Sequence, residues 1–202
     1  MATISTVSIC NMALSNIGAD STVESLTADG TAESNACNLW YDWSRLQALA
    51  GYDWSFARKR LTLATHSEDP PDGVWAYRYQ YPSDCIAFRH IVNPAGETAS
   101  PVPYEVEADS TGQAKSILTD LDDAVGVYTF DQEAVAMFTP LFVDTLSHAL
   151  AHHIAFTLTG KLKVKENMLA IFRELQSAAP SIDANEQGDR LPRDADWITG
   201  RA

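Results

Sequence analysis

Cysteine is scarce in this chain of 202 residues, which contains only Cys10, Cys37 and Cys85. The number is odd, and no two of the cysteines have the CxxC spacing that zinc sites and redox motifs use. Neither a framework of disulfide bonds nor a structural zinc site is therefore expected. We interpret the three residues as buried thiols of a protein in a reducing compartment.

Positive charge is also scarce, because 14 Lys and Arg residues stand against 27 Asp and Glu, giving a net charge of −13. Affinity for nucleic acid depends largely on cations that neutralise phosphates, so a general DNA- or RNA-binding surface is not expected. The same argument counts against a partner membrane rich in anionic lipids. The two basic runs, at 58–60 and 161–165, have few aromatic neighbours and do not resemble a platform for single strands.

Long hydrophobic runs are absent. Nowhere do eighteen apolar residues follow one another, so no membrane-spanning helix is predicted. The first twenty residues carry no Lys or Arg ahead of their apolar positions, and a secretory signal is not expected there. Apolar residues make up 46% and charged residues 20% of the chain, which is typical of a globular protein.

The common catalytic motifs are missing as well: the chain has no GxSxG, no phosphate-binding loop, no GxGxxG and no signature of a catalytic cysteine. The best candidate for a metal or catalytic site is Asp144, His148 and His152, which recur every four residues and share one face of a helix. A zincin would need Glu directly after the first His, where this chain has Ala149. A metal-dependent hydrolase is therefore the weaker alternative to packed histidines, and no catalytic, cofactor-binding or metal-binding residue is assigned.

Helical periodicity near both ends predicts four helices, at about 6–17, 31–50, 139–159 and 164–178. The first three are bounded by cap signals: Ser or Thr before the first and Gly18 after it, Asp29 or Thr31 before the second, Thr139 and Pro140 at the start of the third, and Gly160 after the third. Gly51 is expected to end the second helix in the left-handed conformation. Pro180 is expected to kink or end the fourth helix near Ser177. The stripe predicted to face the core from the second helix consists of Ala36, Leu39, Trp43, Leu46 and Ala50.

The helical periodicity is replaced by a different residue pattern between about residues 57 and 130. Short, partly alternating segments are separated there by Gly, Pro and Asp clusters, which predicts antiparallel strands and hairpins. The segments are RKRLTLAT, AYRYQYP, CIAFRHIV, PYEVEA, KSILTD and VGVYTF. The predicted fold is α+β, mainly a helical bundle of about four helices with a small antiparallel β lobe and an extended C-terminal arm.

The tetrapeptide YDWS occurs twice, at 41–44 and 52–55. The first copy lies in the second helix, with Trp43 on the predicted buried stripe. The second copy follows the helix end, where Asp53 or Ser55 can cap a short turn and Trp54 can pack against the core. We interpret the pair as a coincidence that marks a hinge between the bundle and the lobe, rather than as a ligand platform.

Four segments together resemble the head-to-tail adaptors of short-tailed bacteriophages, the tail tubular protein A family. They are SICNMALSNIGA at 8–19, ACNLWYDWSRLQALAGYDWSFARKRLTLA at 36–64, YRYQYPSDCIAFRHI at 77–91 and FTPLFVDTLSHALAHHIAFTLTG at 138–160. They occur in the order that the family has and span most of the chain up to about residue 186.

The resemblance implies a structural virion protein without enzymatic activity or cofactor. Members of the family form a ring, typically of twelve subunits, between the portal and the tail nozzle, and they can be monomeric before assembly. The implied location is the head-to-tail junction of the virion, reached from the host cytoplasm during assembly. DNA passes through the ring without sequence-specific binding, and an acidic channel wall would suit that passage because it repels phosphates.

The resemblance also implies one adaptor domain at 1–186 and an extended arm at 187–202 that reaches the portal or a neighbouring subunit. The interface candidates in this arm are Leu191, Trp197, Ile198 and Arg201. Trp197 supports an anchoring role, since aromatic side chains dominate many interfaces, although a polar terminus with Pro and Gly is also typical of disorder. A monomeric or dimeric interaction module remains the principal alternative to a ring-forming adaptor.

Overall fold

The computed structural model of the protein describes residues 4–71, 73–96 and 100–186, with side chains described as far as residue 179. The described residues form four α-helices. They are α1 (Thr6–Asn16), α2 (Ala32–Gly51), α3 (Pro140–Thr159) and α4 (Leu162–Glu186). α3 packs against α1, α2 and α4 and is the central helix of this bundle.

Six strands lie between α2 and α3 and form two three-stranded antiparallel sheets. The strands are β1 (Arg58–Thr62), β2 (Tyr77–Gln80), β3 (Cys85–Ile91), β4 (Tyr104–Ala108), β5 (Lys115–Thr119) and β6 (Val125–Phe130). The first sheet has the order β1-β6-β3 and the second the order β2-β5-β4. We call these strands together the β lobe. All six predicted strands are present, and the α+β prediction is confirmed.

The helix starts follow the predicted cap chemistry. The Thr31 hydroxyl accepts a hydrogen bond from the Ser34 amide at 3.1 Å, and Thr139 does the same for Phe142 at 3.3 Å. Each bond satisfies an amide that has no partner within its helix. At the end of α3, Gly160 has a φ of 67°, a left-handed conformation that favours glycine.

Two predicted helix ends are wrong. Gly51 is the last residue of α2 and is not left-handed; Tyr52 follows with a φ of −146°. Position 51 is instead close to α4, because a Cβ there would lie 1.9 Å from the side-chain amide nitrogen of Gln176. Pro180 does not end α4, which continues to Glu186. Ala179 is fully buried in the bundle core, and this packing outweighs the one hydrogen bond that proline removes.

The junction between bundle and lobe is held by aromatic packing and by two arginines. Trp54 is 2% exposed and donates its indole N–H to the Ala48 carbonyl at 3.0 Å, as the predicted role in packing requires. The turn that follows, Ser55–Ala57, has no side-chain cap, so the cap predicted for Asp53 or Ser55 is wrong. The Asp53 carboxylate instead accepts from the Arg58 guanidinium at 3.0 and 3.1 Å.

Arg89 of β3 provides the missing cap of α2. One guanidinium nitrogen donates to the carbonyls of Leu49, Ala50 and Tyr52 at 3.2, 3.1 and 2.7 Å, and the Nε donates to the Thr129 hydroxyl at 2.9 Å. These are carbonyls that the end of a helix leaves without partners, and a cation there also opposes the helix dipole. The end of α2 is thus bonded directly to the first sheet.

Arg45 of α2 makes a second connection to the lobe. Its guanidinium lies 3.2 Å from the Asp131 carboxylate, directly after β6, and 3.5 Å from Asp42 in the preceding turn of the same helix. The Arg45 side chain is buried, so its charge needs these partners. Burial raises the pKa of Asp131, and the charge of Arg45 acts in the opposite direction.

Candidate interaction surfaces

The predicted Asp144, His148 and His152 set lies on one side of α3 but does not converge on one point. The His148 Nδ1 is 2.9 Å from the Asp144 carbonyl oxygen and 3.3 Å from its carboxylate. His152 turns to α4, where its Nδ1 is 3.1 Å from the Lys165 carbonyl. Among the described residues, no group of three or more His, Cys, Asp or Glu side chains is placed to hold a metal ion.

A third histidine, His153, is packed between α2 and α3. Its ring stacks on Trp40 with centroids 4.6 Å apart and an angle of 5° between the planes, and its Nε2 is 3.1 Å from the Gln47 side-chain oxygen. Burial, with the nearby charges of His152 and Lys165, lowers the pKa of His153 to about 4. The imidazole is therefore neutral at pH 7 and acts as a packed side chain.

The thiols of Cys10 and Cys37 are fully buried in the bundle core, as predicted, whereas Cys85 is half-buried. A hydrogen bond with Cys37 and burial both raise the pKa of Cys10, which keeps this thiol protonated and unreactive. A cleft of about 230 Å³ in the lobe is lined by Arg60, His90 and a mainly apolar wall that includes Ile91 and Pro101. The residues that the structure describes in its lining include no carboxylate and no thiol.

The predicted interface residues Leu191, Trp197, Ile198 and Arg201 lie outside the residues that the structure describes. The same is true of the whole predicted arm at 187–202.

The stripe predicted to be the buried face of α2 points mostly into solvent. Leu39 is 71% exposed and Trp43 is 58% exposed, Ala50 is exposed, and Leu46 is half-buried without joining the bundle core. Of the predicted stripe only Ala36 belongs to the core. We call Leu39, Trp43, Leu46 and Ala50 the α2 stripe.

The buried face of α2 is built from smaller and more polar residues. They are Ser34, Ala36, Cys37, Tyr41, Ser44, Arg45, Ala48 and Leu49. The Ser44 hydroxyl donates to the Trp40 carbonyl at 2.7 Å, which satisfies it without a partner on another helix. Small side chains suit the close approach of α2 to α3, and this leaves the larger apolar residues outside.

A second exposed apolar surface lies at the turn between α3 and α4. Phe156, in the last turn of α3, is 52% exposed, and Leu162, the first residue of α4, is 58% exposed. Lys161 and Lys163 flank them, and neither forms an ion pair within the described part of the chain. We call Phe156, Lys161, Leu162 and Lys163 the hairpin tip.

The sequence contained the signal for the α2 stripe, since its spacing of four, three and four residues was visible. What it did not reveal is that a different face of the same helix packs in the core. Exposed large apolar side chains that lie next to one another on a surface mark interaction sites in many proteins.

No family model matches this sequence, and a search of curated proteins gives no significant match. Within the described residues, no helix is both long and apolar enough to cross a membrane.

Proposed function

We propose that the protein is a structural head-to-tail adaptor of a short-tailed bacteriophage, which forms a ring between the portal and the tail nozzle. Its partners are then further copies of itself, the portal protein and the nozzle protein. The protein acts at the head-to-tail junction of the virion and carries no catalytic site or cofactor.

One observation carries this proposal. The four segments that resemble the adaptor family occur in the family's order on α1, on α2 with β1, on β2 with β3, and on α3. The segments include β1, β2, β3 and α3 completely and cover α1 from Ser8 and α2 from Ala36 to their ends. This arrangement supports a likeness of the folded unit, rather than of scattered helical stretches whose Leu and Ala spacing is common.

The surfaces support the same role. A subunit of a closed ring needs two different faces that bind each other, and it needs no cleft for a substrate. The α2 stripe and the hairpin tip are two different exposed apolar surfaces on one bundle. The net charge of −13 is compatible with a channel through which DNA slides, because acidic side chains repel phosphates.

The proposal is tested by assembly on portal rings. The full-length chain is purified and mixed with purified portal rings from the reading frame beside its gene, and the products are examined by sedimentation and electron microscopy. We expect a second ring to form beneath the portal. Portal rings that stay bare at saturating protein would contradict the proposal, and a single copy bound per portal ring would instead identify an interaction module.

A double variant distinguishes the metal-dependent hydrolase from the adaptor. His148→Ala with His152→Ala removes both imidazoles of the candidate metal site, and assembly on portal rings should be unchanged. Elemental analysis of the wild-type protein completes the test. Stoichiometric zinc, iron or manganese that is lost in the variant would favour the hydrolase.

A further inference from the structure

The α2 stripe has the spacing of a surface that packs against another helical element. Leu39, Trp43, Leu46 and Ala50 are separated by four, three and four residues, an average of about 3.7, which is close to the roughly 3.6 residues of one helical turn and keeps all four on one face of α2. No described element of the chain covers Leu39 or Trp43. A tryptophan at the centre of such a stripe is the kind of side chain that anchors interfaces.

The charge around the α2 stripe defines what can bind there. The exposed neighbours on α2 itself are Asn35, Asn38, Asp42 and Gln47, so the one formal charge that α2 places beside the stripe is negative. The one cation of α2, Arg45, is buried and paired with Asp131. A complementary partner therefore combines apolar side chains with positive charge.

The hairpin tip of the same protein has this combination. Phe156 and Leu162 supply exposed apolar surface, and Lys161 and Lys163 supply cations that have no ion-pair partner in the described ranges. The last turn of α3 presents Phe156 and the first turn of α4 presents Leu162 and Lys163 on helical backbone, and Lys161 lies in the link between the two helices.

A two-fold contact between two α2 stripes fits less well. It would bring the Asp42 carboxylates of both copies into the same interface, and like charges at an interface are unfavourable. A two-fold contact would also use up both stripes in a dimer, so no further copy could be added through them. A contact between two different faces leaves one stripe and one tip free at every stage until a ring closes.

We propose that the α2 stripe of one copy binds the hairpin tip of the next copy, and that this contact joins neighbouring subunits. The inference rests on the proposed function and names the surface through which copies of the chain would assemble. The apolar side chains exclude water at the centre of the contact, and Asp42 faces Lys161 and Lys163 at its edge.

The test uses two full-length variants, each with one face blocked. Leu39→Glu with Trp43→Glu blocks the stripe, and Phe156→Glu with Leu162→Glu blocks the tip. Wild-type protein should form species larger than dimers in sedimentation runs up to about 1 mM, and each variant alone should be monomeric. An equimolar mixture should form heterodimers and nothing larger, because one intact stripe then meets one intact tip.

Several results would overturn the inference: a wild type that is monomeric at the highest concentration, a tip variant that assembles alone as the wild type does, or a mixture that stays monomeric. The matched control is Val74→Glu with Met137→Glu, since these apolar side chains are 62% and 52% exposed elsewhere on the surface. This control should assemble normally.

Charge variants test the hairpin tip if glutamate at the apolar positions prevents folding. Lys161→Glu with Lys163→Glu should weaken self-association at least tenfold at low salt, whereas Lys161→Arg with Lys163→Arg keeps both charges and should leave it unchanged. Unchanged self-association in the glutamate variant would overturn the inference.

The terminal segment of the chain could bind the α2 stripe in place of the hairpin tip. A full-length variant, Trp197→Glu with Ile198→Glu, distinguishes these two occupants. If this variant is monomeric while the tip variant still assembles, residues 187–202 bind the stripe and the inference is wrong. Rings that still form on the portal with either face blocked would refute the contact and leave the adaptor function standing. Bare portal rings with wild-type protein would instead count against the function.

Discussion

Arg89 is a single side chain that decides how α2 ends. The helix has no cation in its last turn and no left-handed glycine, and the Arg89 guanidinium satisfies the carbonyls of Leu49, Ala50 and Tyr52 from another element. Arg89→Met keeps most of the apolar stem and removes these bonds. We expect the free energy of unfolding to fall by about 2 to 3 kcal/mol, as for hydrogen bonds to charged groups.

Urea unfolding at neutral pH measures this change. The matched control is Arg60→Met in the exposed strand β1, where the described part of the chain offers the guanidinium no ion pair, and the expected change is within about 0.5 kcal/mol. Equal effects of the two substitutions would show that Arg89 does not act as the cap of α2.

The lowered pKa of His153 predicts how the stability of the folded protein depends on pH. Its pKa in the folded protein is about 4, below the ordinary value of 6.5, so between these values the unfolded chain binds a proton that the folded chain does not. The contribution of the neutral His153 ring to the free energy of unfolding is fully present above pH 6.5 and is lost as the pH falls toward 4. Urea midpoints should therefore drop between pH 7.5 and pH 5.

His153→Phe keeps an aromatic ring against Trp40 and removes the titration, so the drop in midpoint should become smaller. His90→Phe, at an exposed position of β3, is the control and should retain the wild-type drop. If the His153 variant keeps the full pH dependence, other groups cause it.

At the scale of the elements, Gly126 and Gly51 both lie close to other side chains, but we expect substitution by alanine to be costly only at Gly126. A Cβ on Gly126, in the central strand β6, would lie 2.7 Å from the Phe88 ring and 2.9 Å from Leu63, both packed in the lobe. Gly126→Ala should lower the free energy of unfolding by about 1 to 3 kcal/mol through overpacking. Gly51→Ala meets only the flexible end of Gln176 and should change it by less than about 0.5 kcal/mol, since helix propensity offsets the contact.

Urea unfolding of both variants checks this prediction. Adding Gln176→Ala to the Gly51 variant should reveal a gain in stability of about 0.5 to 1 kcal/mol relative to Gln176→Ala alone. A loss in that background would show that the backbone, and not the Gln176 side chain, requires glycine at position 51.

The element boundaries were largely readable from the sequence because local chemistry sets them. Thr139 followed by Pro140 predicts the start of α3, and Gly160 predicts its end. The six strands lie between Gly, Pro and Asp turns. The end of α2 was not predictable, because its cap, Arg89, and the side chain that lies against Gly51, Gln176, are distant in the sequence.

The orientation of α2 was the main error, and the candidate surface followed from it. The larger apolar residues Leu39 and Trp43 suggested burial, whereas the core face carries Ser44 and Arg45. These polar residues are tolerated there because the Ser44 hydroxyl bonds within the helix and Asp131, 86 positions further along, pairs with Arg45. A single sequence does not show such a distant partner.

At the scale of the whole molecule, the excess of acidic side chains predicts negligible affinity for DNA. With a net charge of −13, we expect a dissociation constant for duplex DNA weaker than about 10⁻⁴ M at physiological salt, the weak end of nonspecific binding. Fluorescence anisotropy with a labelled duplex measures it, and a basic DNA-binding protein of similar size serves as the positive control. Tight binding that weakens as salt is added would contradict the prediction of a repelling channel wall.

The two arginine connections between α2 and the first sheet have a mechanical consequence. Arg45 and Arg89 bond the second half of α2 to β3 and to the residue after β6, and the α2 stripe lies on the opposite side of the same helix. The helix is therefore tied to the first sheet at two points. We expect a displacement of that sheet to pull on α2 through these bonds, and with it on the helix face that carries Leu39 and Trp43.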